Sequence, residues 1–440
     1  MTSIYQHVNK TYGVTRREWL QLAASGALAT SASGWLPTLA AQAATTPPER
    51  QQRPKSCILL WMSGGPSQVH TFNIPTEGPE YQTRQTAVNG IRISEYLPLL
   101  ASQQRDMTLI RSMSTGINEH QSAHFLMHMG YRASLSVDYP SFGSVVSSEI
   151  GRRDTGLPNY ICIGAGNVVT RHSRPGFLGA NYAPLMTDGR NISNIRPAVA
   201  TEQNDARLNL LDAVEQMTYE DYRNEIVRAH HSSYQRAVQL MRTERIEAFD
   251  VRQEPNNIQE MYGSHNFGKQ CLLARRLVEA GVAFVEVAWG GHGATAWDSH
   301  GGGAEPVRRK SPELDQGFSA LIRDLRERGM LDSTLVVWMG EFGRGPLPRL
   351  GGGNNTRIGS GHYARAWTTV LAGGGLQHGQ VIGQTDARCV DVTENPVSAG
   401  DFFATICRGL GIDPRREIGS PGGRPHYITP TGSEPIAALF

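Results

Sequence analysis

The sequence has no pair of cysteines at CxxC spacing. Its five cysteines, Cys57, Cys162, Cys271, Cys389 and Cys407, lie far apart, four of them in apolar segments. An odd count at wide spacing reads as buried thiols and argues against a disulfide framework. Charge is sparse and nearly balanced, with 42 Lys and Arg against 40 Asp and Glu. Nothing here favours a nucleic acid or an anionic membrane as partner. The glycine-rich stretch Gly64-Gly65-Pro66-Ser67 lacks the lysine and the glycine spacing of a phosphate-binding P-loop. No internal repeat is present, so a solenoid is excluded.

What the chain has is length, apolar content and glycine. Its 440 residues are 39% hydrophobic and include 48 glycines. That is enough for one large folded domain or two moderate ones, with many tight loops.

The first 43 residues read as a twin-arginine signal peptide. Thr15-Arg16-Arg17-Glu18-Trp19-Leu20-Gln21 is followed by a weakly hydrophobic stretch and by Ala41-Gln42-Ala43, a small-x-small cleavage site. Ser, Thr, Gly and Pro37 make the stretch a poor membrane-spanning helix. The expected partner is the twin-arginine export machinery, the expected location periplasmic or extracellular, with no stable membrane anchor after cleavage. Cleavage removes Lys10, Arg16, Arg17 and Glu18, which takes the formal charge from +2 to zero. Residues 44–54 are a polar linker.

Residues 55–440 alternate apolar runs of strand length with amphipathic helical segments. Strands are expected at 55–62, 107–112, 157–163, 282–288, 333–339 and 367–371. Helices are expected at 95–104, 141–150, 267–280, 314–328 and 402–410, and the histidines at 120, 124 and 128 share one face of another. Residues 164–200 read as an irregular surface excursion, and 204–260 as a helical insertion or cap. The alternation predicts a three-layer α/β/α domain with a mainly parallel sheet. Loops leaving strand C-termini then lie along one edge, where such sheets keep their sites. The loops at 63–73, 289–303 and 340–344 should converge there.

Those loops carry the candidate chemistry. Asp298 and His300, in Trp297-Asp298-Ser299-His300, offer oxygen and nitrogen donors suited to zinc, manganese or iron. Glu341 and His362 can complete a divalent site, and Arg344 is a fixed-fork cation able to hold an anion. The plain readings are a turn cap for Asp298, a Glu341–Arg344 pair and a surface His362. His120 and His124 begin a helix at the site edge, and His128, between Met127 and Met129, reads as packing. Ser67 and Ser122 are possible nucleophiles with no paired base visible.

These motifs carry a resemblance. The chain resembles the exported domain-of-unknown-function 1501 family, itself similar to the alkaline phosphatase and sulfatase superfamily. The matching pieces are Gly64-Gly65-Pro66-Ser67, His128-Met129-Gly130-Tyr131, Pro140-Ser141-Phe142-Gly143-Ser144, Trp297-Asp298-Ser299-His300, Gly340-Glu341-Phe342-Gly343-Arg344 and Leu371-Ala372-Gly373-Gly374-Gly375, with the twin-arginine start. The resemblance implies an alkaline-phosphatase-like sheet and a hydrolase of phosphate or sulfate esters, on a small-molecule or polysaccharide substrate. Asp298, His300 and His362 would bind a divalent metal (zinc, manganese or calcium), with Glu341 as a further ligand or an orienting base and Arg344 on the anion. The nucleophile would fall near His120 to Ser122, and Ser67 would border the substrate. The chain departs from the family at His70, Asn73 and Gly361, where acidic residues are common, and at Gln68, where histidine is usual. A site short of acids supports the alternative, a non-catalytic binding or scaffold protein that keeps the fold without the metal.

Overall fold

The central strand shows how the sheet is built. Ser56–Met62 (β1) is buried along its whole length, as a strand covered on both faces must be. Ile58, Leu60 and Met62 face one apolar cluster, while Cys57, Leu59 and Trp61 face the other. This period-two alternation into two cores makes the domain three-layered. A computed structural model describes residues 55–77, 81–152, 154–164, 171–189, 199–222, 225–289, 297–350, 356–419 and 423–440. The signal-peptide and linker expectations lie outside the described residues.

The other strands of the main sheet are Met107–Met113 (β2), Tyr160–Ile163 (β3), Leu185–Thr187 (β4), Phe284–Trp289 (β5), Thr334–Met339 (β6), Trp367–Gly373 (β7) and Gln380–Ile382 (β8). They lie in the order β8-β2-β7-β6-β1-β5-β3-β4. All pairings are parallel except those of β7, which runs antiparallel to both β2 and β6. On one face the cores of Asn266–Glu279 and Glu305–Glu327 pack, through Phe267, Cys271, Phe318 and Leu321. On the other lie His120–Met129 (α1), Phe142–Ile150 (α2) and Ala399–Leu410, through Met127, Phe142, Phe403 and Ile406. All five cysteines are buried and free.

Two expectations need correction. Residues 164–200 are not merely a surface excursion. They supply β4, and buried Ser173 donates a hydrogen bond to Glu286 in the core at 2.9 Å. Helix Glu305–Glu327 starts ahead of the expected residue 314 and runs through Pro312. The expected insertion is helical: Thr201–Tyr222 and Glu225–Arg242 are joined by Glu215, which accepts from Nδ1 of His230 and His231 at 2.6 and 2.9 Å. Among the described residues no helix is long and apolar enough to cross a membrane.

The topology places the site. Met62, Trp289 and Met339 end neighbouring parallel strands, with Trp61 beside Ala288 and Met339. β2 ends at the same edge. The antiparallel β7 begins there, so the segment before Trp367 also arrives at that edge. Five chain segments are thereby delivered to one place.

Candidate metal centre

The delivered segments build the site between them. After β2, the Glu119 carboxylate caps α1 by accepting from the amides of Gln121 and Ser122, both at 2.8 Å. This fixes His120 at the first turn, with His124 and His128 below it on the same face, and Gly130 ends the helix in the left-handed region at φ 74°. After β1, Gly64 takes φ 107°, and a Cβ there would lie 2.2 Å from the amide nitrogen of Asp298. Only glycine lets the first loop run this close to the Asp298 loop. After β6 comes Glu341. Before β7, His362 and Tyr363 pair antiparallel with Arg344 and Gly343.

His120, Asp298, His300 and His362 each offer a ligand atom, and these atoms all lie within 4.8 Å of one another. The Asp298 carboxylate stands 3.4 Å from His120 Nε2, 3.1 Å from His300 Nε2 and 3.7 Å from His362 Nε2. The edge of a tetrahedron with metal–ligand bonds of ~2.1 Å is ~3.4 Å, so these separations suit a zinc-sized ion. His120 Nε2 is buried, and its nearest partner is the Asp298 carboxylate at 3.4 Å, longer than a normal hydrogen bond. His300 and His362 bring their Nε2 atoms within 2.8 Å of each other, and an ion between them would have to part them slightly. Three imidazoles and one carboxylate suit zinc or manganese. The calcium expectation gives way here, because calcium takes about six to eight oxygen ligands.

Glu341 lies apart from this first set. It is fully buried, accepts the Gly64 amide on both oxygens at 2.9 and 3.2 Å, and meets His120 Nδ1 at 2.6 Å and His124 Nε2 at 3.4 Å. His120, His124 and Glu341 form a second group of possible ligands. Burial would raise the Glu341 carboxyl, but the neighbouring histidines hold it down to about 2. Burial likewise opposes the charge on Asp298, and His120, His362 and Arg344 outweigh it to keep the carboxyl well below its usual range. His120 is opposed by burial yet raised to about 9 by its two carboxylates, whereas burial lowers His124 to about 4.

Two predicted roles change. Arg344 is not free to grip an anion. It is fully buried and donates from Nε to Gly65 O at 3.0 Å, from Nη1 to Ser360 O at 2.7 Å, and from Nη2 to Asp298 Oδ1 at 2.6 Å and to Gly64 O. It clamps three loops and orients Asp298. Ser67 does not present a nucleophile. Its hydroxyl is fully buried and bonded to His70 Nδ1 at 2.9 Å, beneath Gly359. Ser122 is exposed.

Sequence reasoning left His128 as packing and missed its partner. His128 Nε2 lies 3.1 Å from Glu286 Oε1, and Tyr160 donates to Oε2 at 2.6 Å. Trp61 packs over His128 with ring centroids 4.1 Å apart. The signal was a glutamate in the middle of the apolar run 282–288, since a carboxylate buried there requires partners.

Fold and site together define an α/β protein with a histidine-rich candidate metal centre at the edge of a mainly parallel sheet. The chain belongs to the family described as protein of unknown function (DUF1501), whose profile matches residues 54–440. No curated protein sequence matches it. Solved structures similar to it include the PsFucS1 sulfatase from Pseudoalteromonas sp., at 13% identity over 82% of this chain and 68% of that one, with a TM-score of 0.39. Another is the alkaline phosphatase from the Antarctic bacterium TAB5, at 12% identity over 82% of this chain and 99% of that one, with a TM-score of 0.38. A third is a protein in the alkaline phosphatase superfamily from Vibrio parahaemolyticus, at 9% identity over 82% and 67%, with a TM-score of 0.40.

Proposed function

We propose that the chain is an exported metal-dependent hydrolase of phosphate or sulfate esters, on a small-molecule or polysaccharide substrate. The observation that supports this most is the convergence of His120, Asp298, His300 and His362 on one point. A divalent ion held there would polarise an ester oxygen and acidify water near neutral pH. Asp298, His300 and His362 bind, and Arg344 fixes the Asp298 carboxylate toward the set. Glu341, locked by the Gly64 amide, fixes the His120 ring through Nδ1. His300, with its side chain 47% exposed, lies on the side from which an ester would arrive.

The test is metal analysis of mature protein purified without chelator, with assays on aryl phosphates and aryl sulfates. Zinc or manganese at about one equivalent or more, lost together with activity in Asp298→Ala and His300→Ala, is the expected result. Less than about a tenth of an equivalent of any divalent metal, with no ester hydrolysis, would sink the reading. One observation favours the non-catalytic alternative: the predicted cation Arg344 and the predicted hydroxyl Ser67 are both engaged inside the fold. Tight metal binding without hydrolysis of either ester class would favour that alternative.

A further inference from the structure

The two ligand groups share one residue, and they share it through opposite nitrogens of its ring. His120 Nε2 faces Asp298 Oδ2 at 3.4 Å, and Nδ1 faces Glu341 Oε1 at 2.6 Å. His124 adds Nε2 on the Glu341 side, 3.4 Å from that same oxygen. We infer that the centre takes two divalent ions bridged by the imidazole of His120. The inference rests on the metal reading proposed above and extends it.

The ring needs no reorientation for this. In an imidazole bridge each nitrogen gives a lone pair to one ion, so both N–H protons of the His120 imidazolium leave to solvent. The nitrogens of His120 already address separate carboxylates. On the second side, the His124–Glu341 separation matches the ~3.4 Å edge of a zinc tetrahedron, and the His120–Glu341 contact has to lengthen by ~0.8 Å. His120 can supply that movement, because it opens α1 and its side chain is 27% exposed. Glu341 stays in place, held on both oxygens by Gly64.

His124 supplies an independent observation. The residue is 2% exposed, and its Nδ1 has no hydrogen-bond partner. With no acceptor at Nδ1, the Glu341 carboxylate draws the ring proton to Nε2, and an ion seated between the two would take that proton's place. The Trp61 ring, with its centroid 5.2 Å from that of His124, packs against the imidazole and limits its rotation. A buried imidazole paired with a buried carboxylate at more than hydrogen-bond distance is a poor structural contact and a good pair of ligands.

The experiment uses metal-free mature protein loaded with Zn2+ or Cu2+ alone. Zinc analysis should give about two equivalents, falling to about one in His124→Ala. With copper, a single equivalent should show its full paramagnetic resonance signal. A second equivalent should remove most of that signal, because two Cu2+ ions couple through a shared imidazole. The wild-type copper titration decides the bridge even where His120→Ala fails to fold. About two equivalents with undiminished signal would overturn the bridge. A single equivalent that Asp298→Ala abolishes would overturn the second ion and leave the proposed function standing. No binding at all would overturn both.

Discussion

The Gly64 amide donates to both carboxylate oxygens of Glu341, at 2.9 and 3.2 Å, across 277 positions of sequence. One backbone group in the loop after β1 thus fixes the acid at the end of β6. It does so from a φ of 107° and in backbone contact with Asp298. Gly64→Ala should therefore cost ~2 kcal/mol or more, from the left-handed penalty plus the clash. It should also displace Asp298 and Glu341 together. Chemical denaturation and zinc titration check this, and a variant with wild-type stability and wild-type affinity would contradict it.

Arg344 distinguishes a clamp from an anion grip. Its donors reach Gly64, Gly65, Ser360 and Asp298, a fork that lysine cannot reproduce. Arg344→Lys leaves buried carbonyl oxygens unpaired, so it should destabilise the domain by ~3 kcal/mol. It should change the affinity of inorganic phosphate or sulfate no more than it changes metal affinity. A variant of unaltered stability with selectively weakened anion binding would restore the gripping role.

How much of this was legible in the sequence follows from what kind of fact each part is. The strand ends at Met62, Trp289 and Met339 were legible because buried parallel strands are apolar runs cut off by glycine loops. The convergence of the Asp298–His300 loop with the loops after β1 and β6 followed from that grammar, whereas His362 arrives only because β7 runs antiparallel. The antiparallel insertion of β7 between β2 and β6 was not legible, since pairing is decided by tertiary packing rather than local pattern. The three residues of β4 carry too short a pattern to read. The saturation of Arg344 depends on carbonyl groups that leave no sequence trace. The same holds for the division of ligands between Asp298 and Glu341, which depends on where one helix begins. His70 and Asn73, read as gaps in an acidic site, lie buried, with His70 bonded to Ser67 and Asn73 to Thr385.

His70 makes acid stability testable. Burial lowers its imidazole to about 4, against an ordinary value of 6.5. Below pH 6.5 the unfolded chain binds a proton that the folded chain refuses until about pH 4. The stability that this neutral histidine contributes is therefore complete above pH 6.5 and lost as the pH falls toward 4. The linkage is worth ~3 kcal/mol. His70→Gln should flatten the loss of stability across this window, measured by urea unfolding at successive pH values. Equal slopes for variant and wild type would show that His70 does not set it.

The proposed export makes Arg16 and Arg17 the residues to test. A twin-arginine carrier reads both guanidinium groups, and lysine keeps the charge while losing the fork. Arg16→Lys with Arg17→Lys should leave the protein in the cytoplasm, uncleaved and of full length. The wild type should reach the periplasm about 43 residues shorter. The five buried thiols are compatible with a domain that folds in a reducing compartment before it moves. Cell fractionation, with mass determination of the mature chain, reads both results. A double variant exported as efficiently as the wild type would exclude the twin-arginine route.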